Sequence, residues 1–446
     1  MNINDYTQIP LSFQEGKIIT ITFNGGNIVS DAGLLLIREY DEKMKFTDQI
    51  SKILTEQRDF HLIDHQLVDL LRQRLYGIIG GYEDGNDADY LRIDPVFLAI
   101  TGRELSQPLA SQPTVSRFEN SVPGREVVGL NRFLLSHYIN RVKKHNRGKK
   151  RIIIDVDSTA DPCYGVQQLS FFNGFYDQHM YHPLLFFDGE LGDLLSVRLR
   201  PGNVHGGHRL TVELRRIVEE LQRRLQPPEI ILRSDGAGAS PSVYCVAEDL
   251  KIDYLINLPM NLVLKRRVAQ LVSKAQRAYK KVGKPVKYYT SFWYRAKSWH
   301  KKRRVLAKVE YNEKGLNRRF VVTSFRADKA SVLFDLYEDR GESENWIKEL
   351  KNGLKADRLS CHGYMANAFR LLLHSLAYVL VHNFRLDVLK GTALACATIE
   401  TIRLKLLKVG ALVKETVRRI WFQLSSGWPF RLIFIQVCKN LCFDTS

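Results

Sequence analysis

Two short apolar runs, each closing on acids, constrain this chain more than any other feature. Arg151–Thr159 reads RIIIDVDST and Ile230–Asp235 reads IILRSD. Runs of this length and composition predict strands buried on both faces. Such strands sit inside a helix-covered sheet, so the chain is expected to be α/β. Each strand would deliver a carboxylate to its end. On the first, Asp157 stands directly before Ser158-Thr159, and Asp155 is its rival, two residues back on the same strand face. On the second it is Asp235, whose plainer reading is a turn-forming Asp-Gly. Asp161 reads as a turn residue.

A third carboxylate comes from Tyr337–Lys351, YEDRGESENWIKELK. Periodicity predicts a helix from about Ser343, with Trp346, Ile347 and Leu350 on one face. Tyr337, Arg340, Glu344 and Lys351 stand at the spacing Tyr-x2-Arg-x3-Glu-x6-Lys. If the segment is helical throughout, Arg340, Glu344 and Lys351 share roughly one face. A surface helix with ordinary ion pairs would show the same spacing. Two strands and a helix that bring three carboxylates together would suit Mg²⁺, which takes oxygen ligands and keeps several waters.

On these residues the chain resembles the DDE transposases of bacterial insertion sequences that carry the Tyr-Arg-Glu-Lys signature. Within that group it is most similar to insertion-sequence family thirteen-eighty. The resemblance runs through GGNIVSDAGLLLIREYD, GYEDGNDADYLRIDP, SQPTVSRFEN, DVDST, RPGNVHGGH, LRSDGAG, the signature helix and ANAFRLLLHSLAYVL. It implies a ribonuclease-H-like catalytic core with a β-rich insertion, preceded by a helical N-terminal domain. The expected division is 1–150 helical and DNA-binding, 151–260 the first part of the core, 261–326 the basic β-rich insertion, and 327–446 the rest of the core and the C-terminal region. Asp157, Asp235 and Glu344 would be the catalytic, metal-binding carboxylates, with Mg²⁺ as cofactor and Mn²⁺ as substitute. Tyr337, Arg340 and Lys351 would contact phosphate. The implied partners are DNA, both element ends and target, and a second copy in a paired-end dimer. A DNA-binding protein that keeps the fold without chemistry, or a nuclease without strand transfer, are the alternatives.

Composition agrees with a polyanionic partner. The chain has 446 residues, enough for two or three domains, and a net charge of +18. Much of that excess lies in Asn261–Arg304, which holds 15 Lys or Arg and no acid. Aromatics are interleaved, and Trp293 and Trp299 are candidates to stack on a displaced base, with Lys297, Lys301 and Lys302 as phosphate contacts. For most of these aromatics, filling a small core is the plainer role. The linker Arg141–Arg151, RVKKHNRGKKR, would track phosphates or stay solvated. Six scattered cysteines with no CxxC pair give no zinc pattern and fit a reducing cytosol. His179/His182 and His205/His208 are His-x2-His pairs without accompanying ligands, and His205 and His208 would cap the next helix or approach phosphate. No phosphate-binding glycine loop points to ATP. The first residues lack a leader pattern, and Leu371–Val381 is too short to span a bilayer, so no membrane partner and a cytoplasmic, nucleoid-associated site are expected.

Local patterns fill in the rest. Residues 1–20 are mixed and would extend along another surface. Asp31–Asp41, with Asp31 as N-cap, Phe46–Glu56, Asp64–Ile79, Asp94–Ile100, Ser111–Asn120 and Gly124–His145 are expected helices. Ser116, Arg117 and Asn120 could reach base edges. Gly165–Phe175, Tyr181–Asp188, Leu194–Arg200 and Asp253–Asn257 are expected strands, and His208–Leu225 and Ser242–Leu250 helices. Tyr288–Tyr294, Val305–Tyr311 and Arg319–Phe325 would be strands of the insertion. Asn367–Phe384 should pack on the sheet, Ile402–Ser425 should form a hairpin or two short strands, and Pro429–Leu441 a terminal helix.

Overall fold

A computed structural model describes residues 9–11, 13, 15–145, 151–227 and 229–443. The start of the 1–20 segment and residues 146–150 of the basic linker lie outside the described residues. The chain divides into two compact units, one of residues 119–379 and one of 1–118 with 380–446.

The first unit is built on an eight-stranded mixed sheet. Its order is Val286–Tyr294, Arg303–Asn312, Gly315–Thr323, Asp253–Asn257, Glu229–Ser234, Arg151–Ser158, Leu184–Asp188 and Leu194–Arg198. Both apolar runs are strands. They are parallel neighbours at the middle of the sheet, with Ser234 opposite Val156. One step further along that register sets Asp235 beside Asp157, at the carboxyl ends where open α/β sheets place ligands.

Alternation along Arg151–Ser158 sorts its side chains to two faces. Ile152, Ile154 and Val156 join one core with Tyr138, Leu214, Ile217 and Tyr244. These come from the helices Gly124–His145, Leu210–Arg224 and Pro241–Asp249. The opposite face carries Asp155 and Asp157. There Leu255, Leu306 and Val321 pack on Leu333, Phe334 and Tyr337 of the helix Ala330–Glu338, and Phe187 packs on Trp346 and Tyr378. Burial on both faces explains why these strands read as unbroken apolar runs.

Three expectations change. Gly165–Phe175 is not one strand. Asp161–Pro162, Gln178–Tyr181 and Phe171–Asn173 form a separate three-stranded sheet, and only Leu184–Asp188 of the next run joins the large one. Asp161 is no turn residue. It is a strand residue, 2% exposed, paired with Lys351. The basic stretch carries its three expected strands, and two helices not expected there precede them. It opens with the helices Leu262–Arg267 and Ala269–Val282, whose Leu264, Val272 and Ala275 are buried. Its three strands then extend the large sheet, Gly315–Thr323 pairing antiparallel with Asp253–Asn257.

In the second unit, Leu34–Met44, Phe46–Ser51, Leu67–Gly80, Pro95–Thr101 and the terminal Arg431–Phe443 are helices. The expected hairpin is Ala411–Thr416 with Arg419–Leu424, and Ile28–Val29 adds a third strand. Asp31 does not cap its helix: Gly33 holds that position. The buried Asp31 carboxylate is instead paired with Lys408 at 2.6 Å and accepts from the Tyr82 hydroxyl at 2.9 Å. Tyr364–Asp387 is long and apolar enough to cross a membrane, but 89% of its apolar window is buried, as in the core helix of a soluble protein. Ser116, Arg117 and Asn120 lie on the helix Gln112–Ser121, with Arg117 and Asn120 exposed.

Candidate active site

Asp157 and Asp235 sit at the ends of the two central strands, and each is fixed by its own backbone. The Ser158 amide donates to Asp157 Oδ1 at 2.9 Å. The Ala237 amide donates to Asp235 Oδ1 at 3.0 Å, in the short helical turn Gly236–Gly238 that follows the strand. Gly206 and Gly207 let a neighbouring loop lie on that turn. A Cβ at Gly206 would stand 2.7 Å from the Ala237 Cβ, and one at Gly207 2.6 Å from the Ala237 carbonyl oxygen.

Asp155, the rival of Asp157, is taken up by another partner. It is fully buried, and both oxygens accept from Arg233, Nε to Oδ1 and Nη2 to Oδ2, each at 2.6 Å. Arg233 also donates to the Leu336 carbonyl at 2.7 Å, tying this pair to the segment that leads to Glu344. Sequence reasoning missed that role, although an Arg near the end of an apolar strand calls for a buried acid.

The signature residues are brought to the same edge, with one exception. Helix Gly341–Lys348 begins one turn after Ala330–Glu338 ends, and Arg340 occupies the joint. Arg340 Nη1 donates to Asp157 Oδ2 at 2.8 Å, and its Nη2 stands 4.0 Å from Glu344 Oε1. One guanidinium thus stands between the first and third carboxylates. Tyr337 is 7% exposed and hydrogen-bonded to Arg340. Glu344 is exposed, its side chain 58% accessible. Lys351 departs from the pattern. After Lys348 the helix widens into a π turn, Glu349–Gly353, which carries Lys351. Its ammonium donates to the Ala160 carbonyl at 2.5 Å and to Thr159 Oγ1 at 3.2 Å, and pairs with Asp161 at 3.3 Å. It anchors the chain just beyond the first strand.

Electrostatics make this edge ready for a cation. Burial pushes the Asp157 carboxyl up to about 6, against the pull of Arg340, and the Asp235 charge adds to the rise. A cation between the acids would relieve both effects, and three carboxylates are the hard oxygen donors that Mg²⁺ takes. The residues therefore fit such an ion. Their present spacing is open: among the described residues, only Cys245, Glu248 and His300 place three ligand atoms within 4.8 Å of one another. That other cluster was not legible in sequence. Its Glu248 already accepts from Arg303, Lys301 and Tyr254, so a metal there would have to displace cations.

The two tryptophans part company. Trp293 is 55% exposed and stays available, but Trp299 is 5% exposed and cannot stack on a base. Its ring packs edge-on against Tyr244 at 5.3 Å and Tyr294 at 5.4 Å, with the Arg303 guanidinium over it. Lys297, Lys301 and Lys302 are exposed, and Lys301 pairs with Glu248 at 2.8 Å. Of the cations in 261–304, all but Arg303 and Arg304 are exposed. His205 does not cap the helix Leu210–Arg224: it accepts from the Gly207 amide at 3.1 Å within its own turn.

A family model described as "Transposase DDE domain group 1" matches residues 11–443. The chain belongs to this family of DDE transposases. No curated protein matches it. Among solved structures, the transposase resembles a piggyBac transposase synaptic complex with hairpin DNA at 12% identity and a TM-score of 0.41, over 85% of this chain and 80% of that one. A Mos1 mariner paired-end complex with Mn aligns at 14% identity and a TM-score of 0.18, over 39% of this chain and 56% of that one. Both likenesses are distant.

Proposed function

We propose that this transposase cleaves the ends of its own insertion sequence and joins them to target DNA, with Asp157, Asp235 and Glu344 as the catalytic carboxylates. The observation that carries the reading is the meeting of Asp157 and Asp235 on adjacent parallel strands, with Arg340 linking Asp157 toward Glu344. Family membership supports it, and so does the strand order. Leu194–Arg198, Leu184–Asp188, Arg151–Ser158, Glu229–Ser234 and Asp253–Asn257 follow the pattern of a ribonuclease-H-like core.

In this reading the three carboxylates would hold Mg²⁺, which would supply positive charge to an in-line displacement at phosphorus. Asp157 is ionised above about pH 6 and presents its charge beside Asp235. Arg340, held by Asp157 and Tyr337, balances charge on a phosphate. Lys351 keeps the strand end in place through Asp161, and the exposed cations of 261–304 track the DNA backbone. Membership of insertion-sequence family thirteen-eighty, a dimer on paired ends and a nucleoid-associated location belong to the same proposal.

The test is cleavage of labelled DNA carrying the element's own ends, with Mg²⁺, by wild type and Glu344→Ala. Cutting by wild type alone is the expected result. Equal cutting by both would remove Glu344 from the site.

A further inference from the structure

We propose that Cys245, Glu248 and His300 form a binding site for Zn²⁺, separate from the carboxylate edge and independent of the reaction proposed there.

The three ligands come from two elements. Cys245 and Glu248 stand three apart on the helix Pro241–Asp249 and share one of its faces. His300 comes from the loop between the strands Val286–Tyr294 and Arg303–Asn312. Trp299 pins that loop, because its buried ring packs edge-on against Tyr244, the residue before Cys245. The helix covers the face of the sheet opposite Asp157: its Val243, Tyr244 and Ala247 join the core of Ile152, Ile154 and Val156. Cys245 is half-buried and His300 exposed, so an ion has a way in from solvent.

Geometry and donor chemistry both point to zinc. One ligand atom from each of the three residues lies within 4.8 Å of the other two. Cys245 Sγ is 3.7 Å from His300 Nδ1. With Zn–S and Zn–N bonds of about 2.3 and 2.0–2.1 Å, two tetrahedral ligands stand about 3.6 Å apart. A thiol–imidazole hydrogen bond would give a similar distance, but it needs no carboxylate one helical turn from the thiol. Thiolate, imidazole and carboxylate are donors that zinc takes together, whereas Mg²⁺ calls for oxygen alone. Three protein ligands leave the fourth position to water.

Glu248 is already oriented for this role. Arg303 donates Nε to Oε1 at 2.8 Å and Nη2 to Oε2 at 3.0 Å, and the Tyr254 hydroxyl donates to Oε1 at 3.0 Å. Such outer hydrogen bonds fix a carboxylate ligand. Arg303 is 2% exposed and lies over the rings of Tyr244 and Trp299, so it stays. The cation that an ion displaces is Lys301, which reaches Oε2 at 2.8 Å from a side chain 51% exposed. As the S–Zn bond forms, the Cys245 thiol gives its proton to solvent. The departing ammonium and that proton carry away the two positive charges that the ion brings, so the local charge does not change. Loading the site also releases Lys301 to join the exposed cations of 261–304.

The test strips the full chain of metal with a chelator and titrates it with Co²⁺ as a visible stand-in for Zn²⁺, with excess Mg²⁺ present to occupy oxygen-only sites. Wild type should show a thiolate-to-cobalt charge-transfer band with tetrahedral d–d bands, complete at one equivalent and bleached by Zn²⁺. Cys245→Ser should lose the charge-transfer band, and His300→Ala should weaken binding on the order of 10-fold or more. Cys438→Ser/Cys442→Ser, which removes the cysteines closest in sequence, should leave the band as it is. Lys301→Gln alters an exposed side chain and removes the competing ion pair, so it should tighten binding by roughly 1.4- to 5-fold. That gain cannot come from misfolding. No band in wild type, a band that survives Cys245→Ser, or binding that Lys301→Gln does not tighten overturns the proposal. None of these readouts depends on DNA cleavage, so the zinc site and the transposase reading fail separately.

Discussion

Replacing Asp155 by Ala would strand Arg233 in the middle of the sheet. Arg233 is 1% exposed, and its anion is the bidentate Asp155 carboxylate. After the change it keeps two neutral acceptors, the Leu336 and Gly189 carbonyls, which do not balance its charge. Removing one member of a buried pair costs about 3–5 kcal/mol. At roughly 2–4 °C per kcal/mol for a unit of this size, the melting temperature should fall by about 10 °C. Thermal unfolding followed by circular dichroism at pH 7 and fixed protein concentration reads this directly. Asp155→Leu/Arg233→Met should recover most of the loss, because it removes the stranded charge with its partner. A melting temperature for Asp155→Ala within about 2 °C of wild type would refute the reasoning, since an ordinary surface carboxylate gives that result. The same measurement separates the two acids of the strand: Asp157→Ala should abolish cutting without a comparable fall in stability.

Three other outcomes are expected. Folded Asp157 holds its proton up to about pH 6 and the unfolded chain releases it near 3.8, so wild type should lose about 3 kcal/mol relative to Asp157→Asn as pH rises through that window; urea titrations at pH 4 and pH 7 check the sign. Trp299→Ala should cost about 3–5 kcal/mol and Trp293→Ala less than about 1, read from denaturant midpoints. Changing Lys265, Lys274, Lys280, Lys281, Lys297 and Lys302 to Gln should flatten the salt dependence of DNA binding by roughly 0.9 in slope for each phosphate no longer neutralised, and an unchanged slope would take this face off the DNA.

The central strands were legible because burial on both faces leaves an unbroken apolar run, and the acids that end those runs stand where the sheet opens. That pattern put Asp155, Asp157 and Asp235 at the strand ends, the resemblance alone singled out Asp157, and the spacing from Tyr337 to Glu344 pointed to Arg340, which the structure sets between Asp157 and Glu344. The π turn that carries Lys351 was not legible, because a 3.6 period cannot show it. Trp299 was misread because composition does not distinguish an aromatic on a basic surface from one beneath it. The choice between Asp155 and Asp157 stayed open in sequence although Arg233 could have decided it, being the cation a buried Asp155 requires.

The third carboxylate is the last to be made. Asp157 and Asp235 come from strands early in the sheet unit, while Glu344 follows only after the three strands that widen the sheet and the helix they support. Arg233 already reaches across that interval to the Leu336 carbonyl. A nascent or truncated chain ending before this point would carry most of the cationic face and two of the three acids. On the proposed assignment it would lack the third acid. On the same assignment, the cationic stretch 261–304 is therefore synthesised before the third acid.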